Sequence, residues 1–277
     1  MNTAYRADID QLLARQHDNG ADAFMTPDGK LLKGGPFTAL ESAGYLLELG
    51  VPPEHPVLAA VAERIFAWIR PDGRIRTAQT GAIYPCQTAL ALLTLCRMGF
   101  ADDERLAGTF AYFLDTQQPD GGWKCNKYSF GRGPETEYST PYTTLLVLDA
   151  FRYRPQSAQA AEKLSHAVNF LLAHWEIRTP ISPCHYGIGS RFLQVEYPFR
   201  GYNLFYYVYV LSFYASARED ARFLAALAEL EKKTADGQIV VERVAPRLAS
   251  LAFCRKGQRS ELGTRRYEEI MQNMRGK

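Results

Sequence analysis

Three cysteines and one histidine carry side chains that bind soft metal ions. Cys86 lies at the predicted start of a helix, Cys125 comes two residues after a Trp, and Cys184 is adjacent to His185. Three thiolates and an imidazole form a common ligand set for Zn²⁺, because soft sulfur ligands favour zinc over magnesium or calcium. The sequence therefore predicts one zinc ion on these four residues. The alternative is that each cysteine is a small buried core residue.

A predicted loop after Trp123 contains the candidates for acid–base chemistry. Long loops on rigid scaffolds often carry function. Glu135 or Glu137 is the candidate acid or base, or a hydrogen-bonding partner for His185. Arg132 is the candidate for binding an anionic group. Solvated surface charge is the alternative interpretation of Arg132, and nothing in the sequence decides between the roles of the two glutamates.

The overall charge of the chain is close to balance, so nucleic acid is not an expected partner. The formal net charge is +2, which gives no strong field around the molecule. Locally, Arg191 and Arg200 flank an aromatic stretch and form a second candidate for binding an anion. The five cysteines are an odd number and no export signal is recognisable, so we expect thiols and a cytoplasmic location. No apolar run is long enough to predict a transmembrane helix.

One turn signal recurs along the chain. Pro-Asp-Gly occurs at 27–29, 71–73 and 119–121, and Ala-Asp-Gly follows at 235–237. Pro presets φ, Asp bonds its own backbone and Gly takes a positive φ, so each copy predicts a tight turn. The spacing predicts a degenerate copy near residue 178. Turns recurring every 44 to 58 residues or so predict units of two helices each.

Helices of two kinds alternate around these turns. An amphipathic helix precedes each turn, and a helix that is apolar on nearly every face follows it, which requires burial on all sides. The sequence therefore predicts an all-α chain, an α/α toroid in one domain over 1–277, with an outer and an inner ring that close fully or incompletely. The predicted outer helices are 57–70, 103–117, 158–175 and 219–234, the five inner helices 37–49, 85–98, 141–153, 202–217 and 244–254, the capping helices 4–17 and 261–274, and the repeat units 4–49, 57–98, 103–153, 158–217 and 219–254.

The segment Thr116 to Trp123, Thr-Gln-Gln-Pro-Asp-Gly-Gly-Trp, resembles the Gln-Trp motif of squalene–hopene cyclases and protein prenyltransferase β subunits. The resemblance implies the α/α toroid, and it implies that Gln117 and Trp123 tie one helix end to the next. The Asp-x-Asp-Asp motif that protonates a polyene and the Asp-Asp-x-x-Asp diphosphate motif are both absent. Asp102 and Asp103 are better interpreted as a helix N-terminus, where acidic residues are favourable.

The resemblance also bears on the zinc prediction. Protein prenyltransferases take a zinc ligand from the N-terminus of an inner helix, and Cys86 occupies a similar place. Lanthionine cyclases, another α/α toroid, bind zinc through a Cys after a Trp and through a Cys-His-Gly, which Cys125 and the Cys184–His185 pair resemble. Each of these two matches has one inserted residue.

An aromatic segment, Tyr202 to Tyr214, contains seven aromatic residues in thirteen. In the families that the chain resembles, such residues line a central cavity for isoprenoid chains and stabilise carbocations by cation–π attraction. Packing between helices is the alternative. The resulting candidates for binding an apolar substrate are Tyr202, Phe205, Tyr206, Tyr209 and Trp123.

Three functions follow from these features. The first is a zinc-dependent enzyme, a transferase or cyclase, that acts on an apolar isoprenoid-like small molecule. Such an enzyme needs an open position on the zinc ion, so Cys86 must not be a ligand, because four protein ligands make a structural site. The second is a metal-free terpenoid cyclase or prenyl-binding toroid. The third is a non-catalytic module that binds a ligand or partner.

Overall fold

The computed structural model describes residues 5–125 and 133–276, and the predicted anion-binding Arg132 lies outside these ranges. The described residues are mostly α-helical, with one two-stranded antiparallel sheet, so the all-α prediction is confirmed. The helices are α1 (Arg6–Leu13), α2 (Ala39–Glu48), α3 (Pro56–Ala67), α4 (Pro85–Leu95), α5 (Ala107–Asp115), α6 (Pro141–Phe151), α7 (Ala158–Ile177), α8 (Leu204–Leu211), α9 (Ala215–Arg218), α10 (Ala221–Glu231) and α11 (Glu261–Arg275), and the strands are β1 (Thr234–Ala235) and β2 (Gln238–Ile239).

The chain divides into two compact units. Unit 1 contains Met1–Asp115 and Ser250–Ala252, and unit 2 contains Thr116–Ala249 and Phe253–Lys277. Each unit has its own buried apolar core; α2 and α4 contribute to the first, and α6 and α8 to the second. The arrangement of the helices as a toroid stays a prediction. None of the described helices is both long and apolar enough to cross a membrane, and the cytoplasmic location stays a prediction.

The recurring Asp-Gly turns have the backbone that their residue types predict. The glycines adopt φ of +77° at Gly29, +80° at Gly73, +91° at Gly121 and +72° at Gly237. In the first three turns the glycine N–H donates to the carbonyl oxygen three residues earlier, at 2.7–2.9 Å. The degenerate copy also forms a turn, with Arg178 in the left-handed conformation at the end of α7. The predicted repeat turns are therefore confirmed.

Two of these glycines lie against the backbone of a helix further along the chain, Gly73 against α5 and Gly121 against α7. A Cβ atom on Gly73 would lie 2.2 Å from the carbonyl oxygen of Gly108 in α5. A Cβ atom on Gly121 would lie 2.5 Å from the carbonyl oxygen of His166 in α7. Real Cβ atoms do not approach an oxygen so closely, so close packing as well as positive φ requires glycine at both positions.

A second contact repeats between three of the Asp-Gly turns and the helices that follow them. The backbone N–H two residues after the turn glycine donates to a threonine hydroxyl near the start of that helix. The donor and acceptor residues are Ile75 and Thr88 at 3.2 Å, Trp123 and Thr144 at 3.2 Å, and Ile239 and Thr264 at 3.0 Å. Thr264 lies in α11. Helix α11, which the sequence assigned as a capping helix, therefore contacts the last turn in the way that α4 and α6 contact theirs.

The prediction of an inner helix over 244–254 is wrong. This segment contains two short 3₁₀ turns, Pro246–Leu248 and Ala252–Cys254. Pro246 disfavours a helical conformation at the preceding residue, and Ala245 is indeed extended, with ψ of 133°. The apolar side chains of the segment are buried without forming a regular helix, as Leu248, Leu251 and Phe253 show.

The remaining predicted helices are present with changed limits: α7 and α11 are longer than predicted, and the others are shorter or divided. Asp103 caps the turn before α5 by accepting a hydrogen bond from the backbone N–H of Arg105 at 2.9 Å, so its interpretation as a helix N-terminus is confirmed. The helix predicted over 85–98 ends in a π-turn at Gly99, whose φ is +89°. The helix predicted over 202–217 is two helices, α8 and α9, separated by residues 212–214.

Candidate functional site

Helix α8 supplies most of the predicted aromatic site. The side chain of Asn203 caps it by accepting a hydrogen bond from the backbone N–H of Tyr206 at 3.0 Å. Every residue of α8 is buried, as its apolar pattern predicts. Phe205 is fully buried and Tyr206 and Tyr209 expose 3% and 1% of their surface, so these predicted substrate-binding rings lie within the core of unit 2.

The hydroxyl groups of α8 are used in hydrogen bonds inside this core. Tyr206 donates to the carboxylate of Asp149 at 2.7 Å, and Tyr209 donates to the carboxylate of Glu269 at 2.7 Å. Tyr207 donates to the carbonyl oxygen of Leu171 at 3.1 Å. Buried hydroxyls need such partners, because an unpaired polar group in the interior is unfavourable. The hydroxyls of α8 thus connect it to α6, α7 and α11.

A chain of rings leads from Tyr202 to the surface of unit 2. The centroids of Tyr202 and Phe192 are 4.8 Å apart, those of Tyr202 and Tyr186 5.8 Å, and those of Tyr186 and Tyr142 5.8 Å. Tyr202 and Phe192 are buried, whereas Tyr142 and Tyr186 are half-buried. We call these four residues the Tyr202 cluster. It presents aromatic edges and faces, which suit an apolar ligand.

His174 contacts the Tyr202 cluster from α7. Its Nδ1 lies 2.9 Å from the Tyr202 hydroxyl, and its Nε2 lies 3.2 Å from the carbonyl oxygen of Thr179. A carbonyl only accepts, so Nε2 carries the proton and Nδ1 accepts from Tyr202. Burial lowers the pKa of His174 to about 4, which keeps the imidazole neutral near pH 7.

His174 belongs to the helix predicted over 158–175 as an outer helix, but it does not face solvent. Its side chain is fully buried. Burial comes from the ring of Tyr202, whose centroid is 5.6 Å away, and Tyr202 is 28 residues further along the chain. The single sequence signal that could have found this contact is the position of His174 next to Trp175, on the buried face of α7.

A further half-buried ring, Phe199, packs against the predicted substrate-binding residues of α8. Its centroid is 4.9 Å from that of Phe205, 5.0 Å from that of Tyr206 and 5.1 Å from that of Tyr209. Trp123, the fifth predicted residue, is buried with 1% of its surface exposed. The substrate-binding role of all five stays a prediction.

Gln117, next to the repeat turn of unit 2, has the tying role that the Gln-Trp motif implies. Its side-chain amide donates to the carbonyl oxygens of Gly121 at 2.6 Å and Lys163 at 2.7 Å. Lys163 belongs to α7, so Gln117 connects the turn to the next helix. These contacts join the turn before Trp123 to α7, and they are structural.

The predicted zinc ligands differ in burial. Cys125 is buried, with its N–H bonded to the Thr140 hydroxyl at 2.9 Å, whereas Cys184 is half-buried and His185 is exposed. Cys86 is the second residue of α4 and lies in unit 1, whereas the other three lie in unit 2. All five cysteines of the chain are thiols. Over 5–125 and 133–276, no three His, Cys, Asp or Glu side chains form a group that could hold a metal ion. Zinc binding stays a prediction.

The predicted acid–base residues lie at the end of the loop that precedes α6. Glu137 forms an ion pair with Lys124 at 2.8 Å. The backbone carbonyl of Glu135 accepts a hydrogen bond from the N–H of Ser182 at 2.8 Å, which brings this loop next to the segment that contains Cys184. The catalytic roles of Glu135 and Glu137 stay predictions.

Glu196 is a titratable residue that the sequence did not single out. It exposes 6% of its surface and forms an ion pair with Arg243. Burial raises the pKa of Glu196, and the charges of Arg243, Arg200 and Arg191 oppose this rise. The two arginines predicted to bind an anion, Arg191 and Arg200, therefore lie close to a buried carboxyl group.

The comparisons with known proteins give a partial similarity. A stretch of 66 residues, 24% of the chain, is 39% identical to squalene–hopene cyclase from Alicyclobacillus acidocaldarius. The stretch covers 10% of that enzyme, so the chain matches a small part of its length. No family model matches the chain. The similarity supports a terpenoid-cyclase-like fold.

Proposed function

We propose that this protein binds an apolar, isoprenoid-like molecule on the half-buried rings of Tyr142 and Tyr186. The observation that carries the proposal is the continuous ring chain from these two residues to Tyr202, in a chain similar to part of a squalene–hopene cyclase. Aromatic faces contribute a large apolar contact area, and they attract a positive charge that develops on a bound hydrocarbon.

The pair of His174 and Tyr202 gives this surface a proton acceptor. A cyclisation that starts from a prenyl diphosphate forms a carbocation as the diphosphate leaves, and it ends when the cation loses a proton. The Tyr202 oxygen can take that proton while its own proton moves to Nδ1 of His174, along the 2.9 Å hydrogen bond. The neutral imidazole is the required form. Cyclisation is the enzymatic form of the proposal, and binding without turnover is its alternative.

Equilibrium dialysis with radiolabelled geranylgeraniol tests the binding. We expect saturable binding to the intact chain, weakened about tenfold or more by Tyr142→Ala and by Tyr186→Ala, since burying one aromatic ring stabilises by about 1.5–3 kcal/mol. Tyr138→Ala is the matched control, because Tyr138 is 41% exposed and lies outside the Tyr202 cluster. Incubation with squalene and with geranylgeranyl diphosphate, followed by mass spectrometry of the products, distinguishes a cyclase from a binding protein.

An equal loss in all three tyrosine variants would show that the ligand adheres non-specifically. Absence of saturable binding would refute the proposed surface. In that case the rings of α8 are core residues alone, which is the alternative that the sequence left open.

Zinc on Cys86, Cys125, Cys184 and His185 is a separate proposal, supported by the ligand types and by the accessibility of Cys184 and His185. Metal analysis of protein purified without a metal-affinity tag should find about one zinc per chain. Cys125→Ser and Cys184→Ser should each lose most of it, since a neutral hydroxyl is a poorer ligand than a thiolate.

Two further variants sharpen the zinc measurement. Retention of zinc in Cys86→Ser would indicate three protein ligands and an open position, whereas its loss would indicate a closed structural site. Cys254→Ser is the control, because the Cys254 thiol is buried and contacts the Leu248 carbonyl oxygen at 3.7 Å. Zinc-free intact protein would contradict the proposal.

A further inference from the structure

Two segments of unit 2 hold a carboxylate and an arginine side by side. Glu196 pairs with Arg243 through a parallel backbone bridge, and the N–H of Arg243 donates to the carbonyl oxygen of Val195 at 3.0 Å. The side chains of Glu196 and Arg243 form an ion pair. This ion pair is therefore fixed by the backbone on both sides.

Two more cations act on the same carboxylate. The charges of Arg200 and Arg191 both act on Glu196, in addition to its ion pair with Arg243, so Glu196 lies in the field of three guanidinium groups. The neighbouring Glu242 does not remove this excess, because its carboxylate is paired with Lys233 at 2.9 Å. The four residues together carry two excess positive charges. We call Arg191, Arg200 and Arg243 the arginine cluster.

Arg243 has an unsatisfied donor. Its Nε is buried and has no hydrogen-bond partner in the described part of the chain. A buried N–H without an acceptor is unfavourable and uncommon. Glu196 alone thus leaves the guanidinium of Arg243 incompletely paired. The Arg243 side chain is 21% exposed, so an anion from solvent can contact its accessible part.

We propose that the arginine cluster binds a phosphate or diphosphate group. The planar guanidinium donates two parallel hydrogen bonds to oxyanions such as phosphate, which makes arginine the residue best suited to this geometry. The excess of two positive charges matches a doubly charged anion. Arg191 is exposed and Arg200 half-buried, so both are accessible to it.

The phosphate has two sources, a free inorganic anion or an ester on an organic body. Arg191 precedes Phe192 of the Tyr202 cluster, and Arg200 follows Phe199, so an ester with an apolar body would find aromatic surface near the arginines. Binding of the inorganic anion does not depend on the proposed isoprenoid function, because that anion has no apolar part.

Isothermal titration calorimetry of the intact chain with inorganic pyrophosphate, in phosphate-free buffer at low ionic strength, tests the site. We expect saturable binding of one anion per chain. Arg191→Gln and Arg200→Gln should each weaken it about tenfold, the equivalent of one charge-assisted hydrogen bond. Glu196→Gln should tighten it about tenfold, since one opposing charge is removed. Geranylgeranyl diphosphate binding more tightly than pyrophosphate identifies the ester as the ligand, and equal affinity identifies the free anion.

The control is Arg259→Gln, which removes an arginine of unit 2 paired with Asp236; its affinity should equal that of the unchanged protein. No saturable binding, an equal loss in Arg259→Gln, or weaker binding in Glu196→Gln would each overturn the site. Arg191→Gln decides the matter if Glu196→Gln fails to fold, because Arg191 is exposed and its circular dichroism spectrum should not change.

Discussion

The turn that ends at Gly73 in unit 1 and the turn that ends at Gly121 in unit 2 have similar backbone conformations. Different side chains anchor the two turns. The turns ending at Gly73 and Gly121 both close with an N–H to carbonyl bond of 2.9 Å. After Gly73, residues 74–84 lead to α4, and after Gly121 the longer segment 122–140 leads to α6. In unit 2 the carboxylate of Asp120 accepts from the N–H and the hydroxyl of Ser139, both at 2.7 Å.

The aspartate of the turn at Gly73 makes only local side-chain contacts among the described residues. Asp72 bonds within the turn, to the N–H of Arg74 at 3.1 Å and to the Arg74 guanidinium. Ile75 occupies the position of Trp123, and both are buried. Closing a longer loop costs more chain entropy. The anchors of unit 2, Trp123 and the long-range bonds of Asp120, hold Ser139 at the end of its longer connection. Gln117 of the same motif also bonds to the turn at Gly121, so the Gln-Trp motif stabilises both the turn and the connection.

The largest effect is expected for Trp123→Ala, which should lower the free energy of unfolding by about 3–5 kcal/mol. Its counterpart Ile75→Ala should cost about 2–4 kcal/mol, because a smaller side chain leaves a smaller cavity. Urea unfolding followed by circular dichroism measures both. A Trp123→Ala protein with unchanged stability and lost ligand binding would assign this residue to the substrate site instead.

The backbone contact common to both turns predicts similar losses for Gly73→Ala and Gly121→Ala. Each should cost about 3 kcal/mol or more, since a Cβ atom strains a positive φ and also forces the adjacent helix away. Gly237→Ala is the matched control, because Gly237 also has a positive φ but its Cβ atom would meet nothing within 4 Å. Thermal unfolding should show a loss of about 1 kcal/mol there. Equal losses at all three positions would refute the role of close packing.

The smallest effects on the free energy of unfolding are expected at the two turn aspartates, Asp120 and Asp72. Asp120→Ala should cost about 2 kcal/mol, because it leaves Ser139 without its acceptor. Asp72→Ala should cost about 0.5 kcal/mol or less, since its ion pair with Arg74 is exposed. Urea midpoints of the two variants give the comparison directly. If the costs are equal, the added anchor at Ser139 contributes nothing to stability.

The repeat was predictable from the sequence because its turn chemistry is local. Pro-Asp-Gly specifies a turn within four residues, and the glycine conformations follow from it. The last helix of the repeat was misassigned for the opposite reason. Residues 244–254 are apolar enough to suggest a helix, whereas the contact that identifies α11, between Ile239 and Thr264, joins residues 25 positions apart.

The candidate site was predictable in part. The aromatic content of α8 pointed to Tyr202, but the rings that carry the cluster to the surface, Tyr142 and Tyr186, belong to other segments. The hydrogen bond between Tyr202 and His174 depends on how α7 and α8 pack together, which residue spacing does not specify. Arg191 and Arg200 were recognisable as cations, whereas their neighbour Arg243 comes from a distant segment.

The close approach of Gly73 and Gly121 to a helix backbone restricts where the gene can gain or lose codons. An insertion between a turn and its following helix lengthens only the connecting segment, and residues 122–140 are already a longer connection than 74–84. An insertion within the turn would move Gly73 away from Gly108, or Gly121 away from His166, and break a contact that tolerates no added atom. Length polymorphism between orthologues should therefore concentrate after the turn glycines and be absent from the turns themselves.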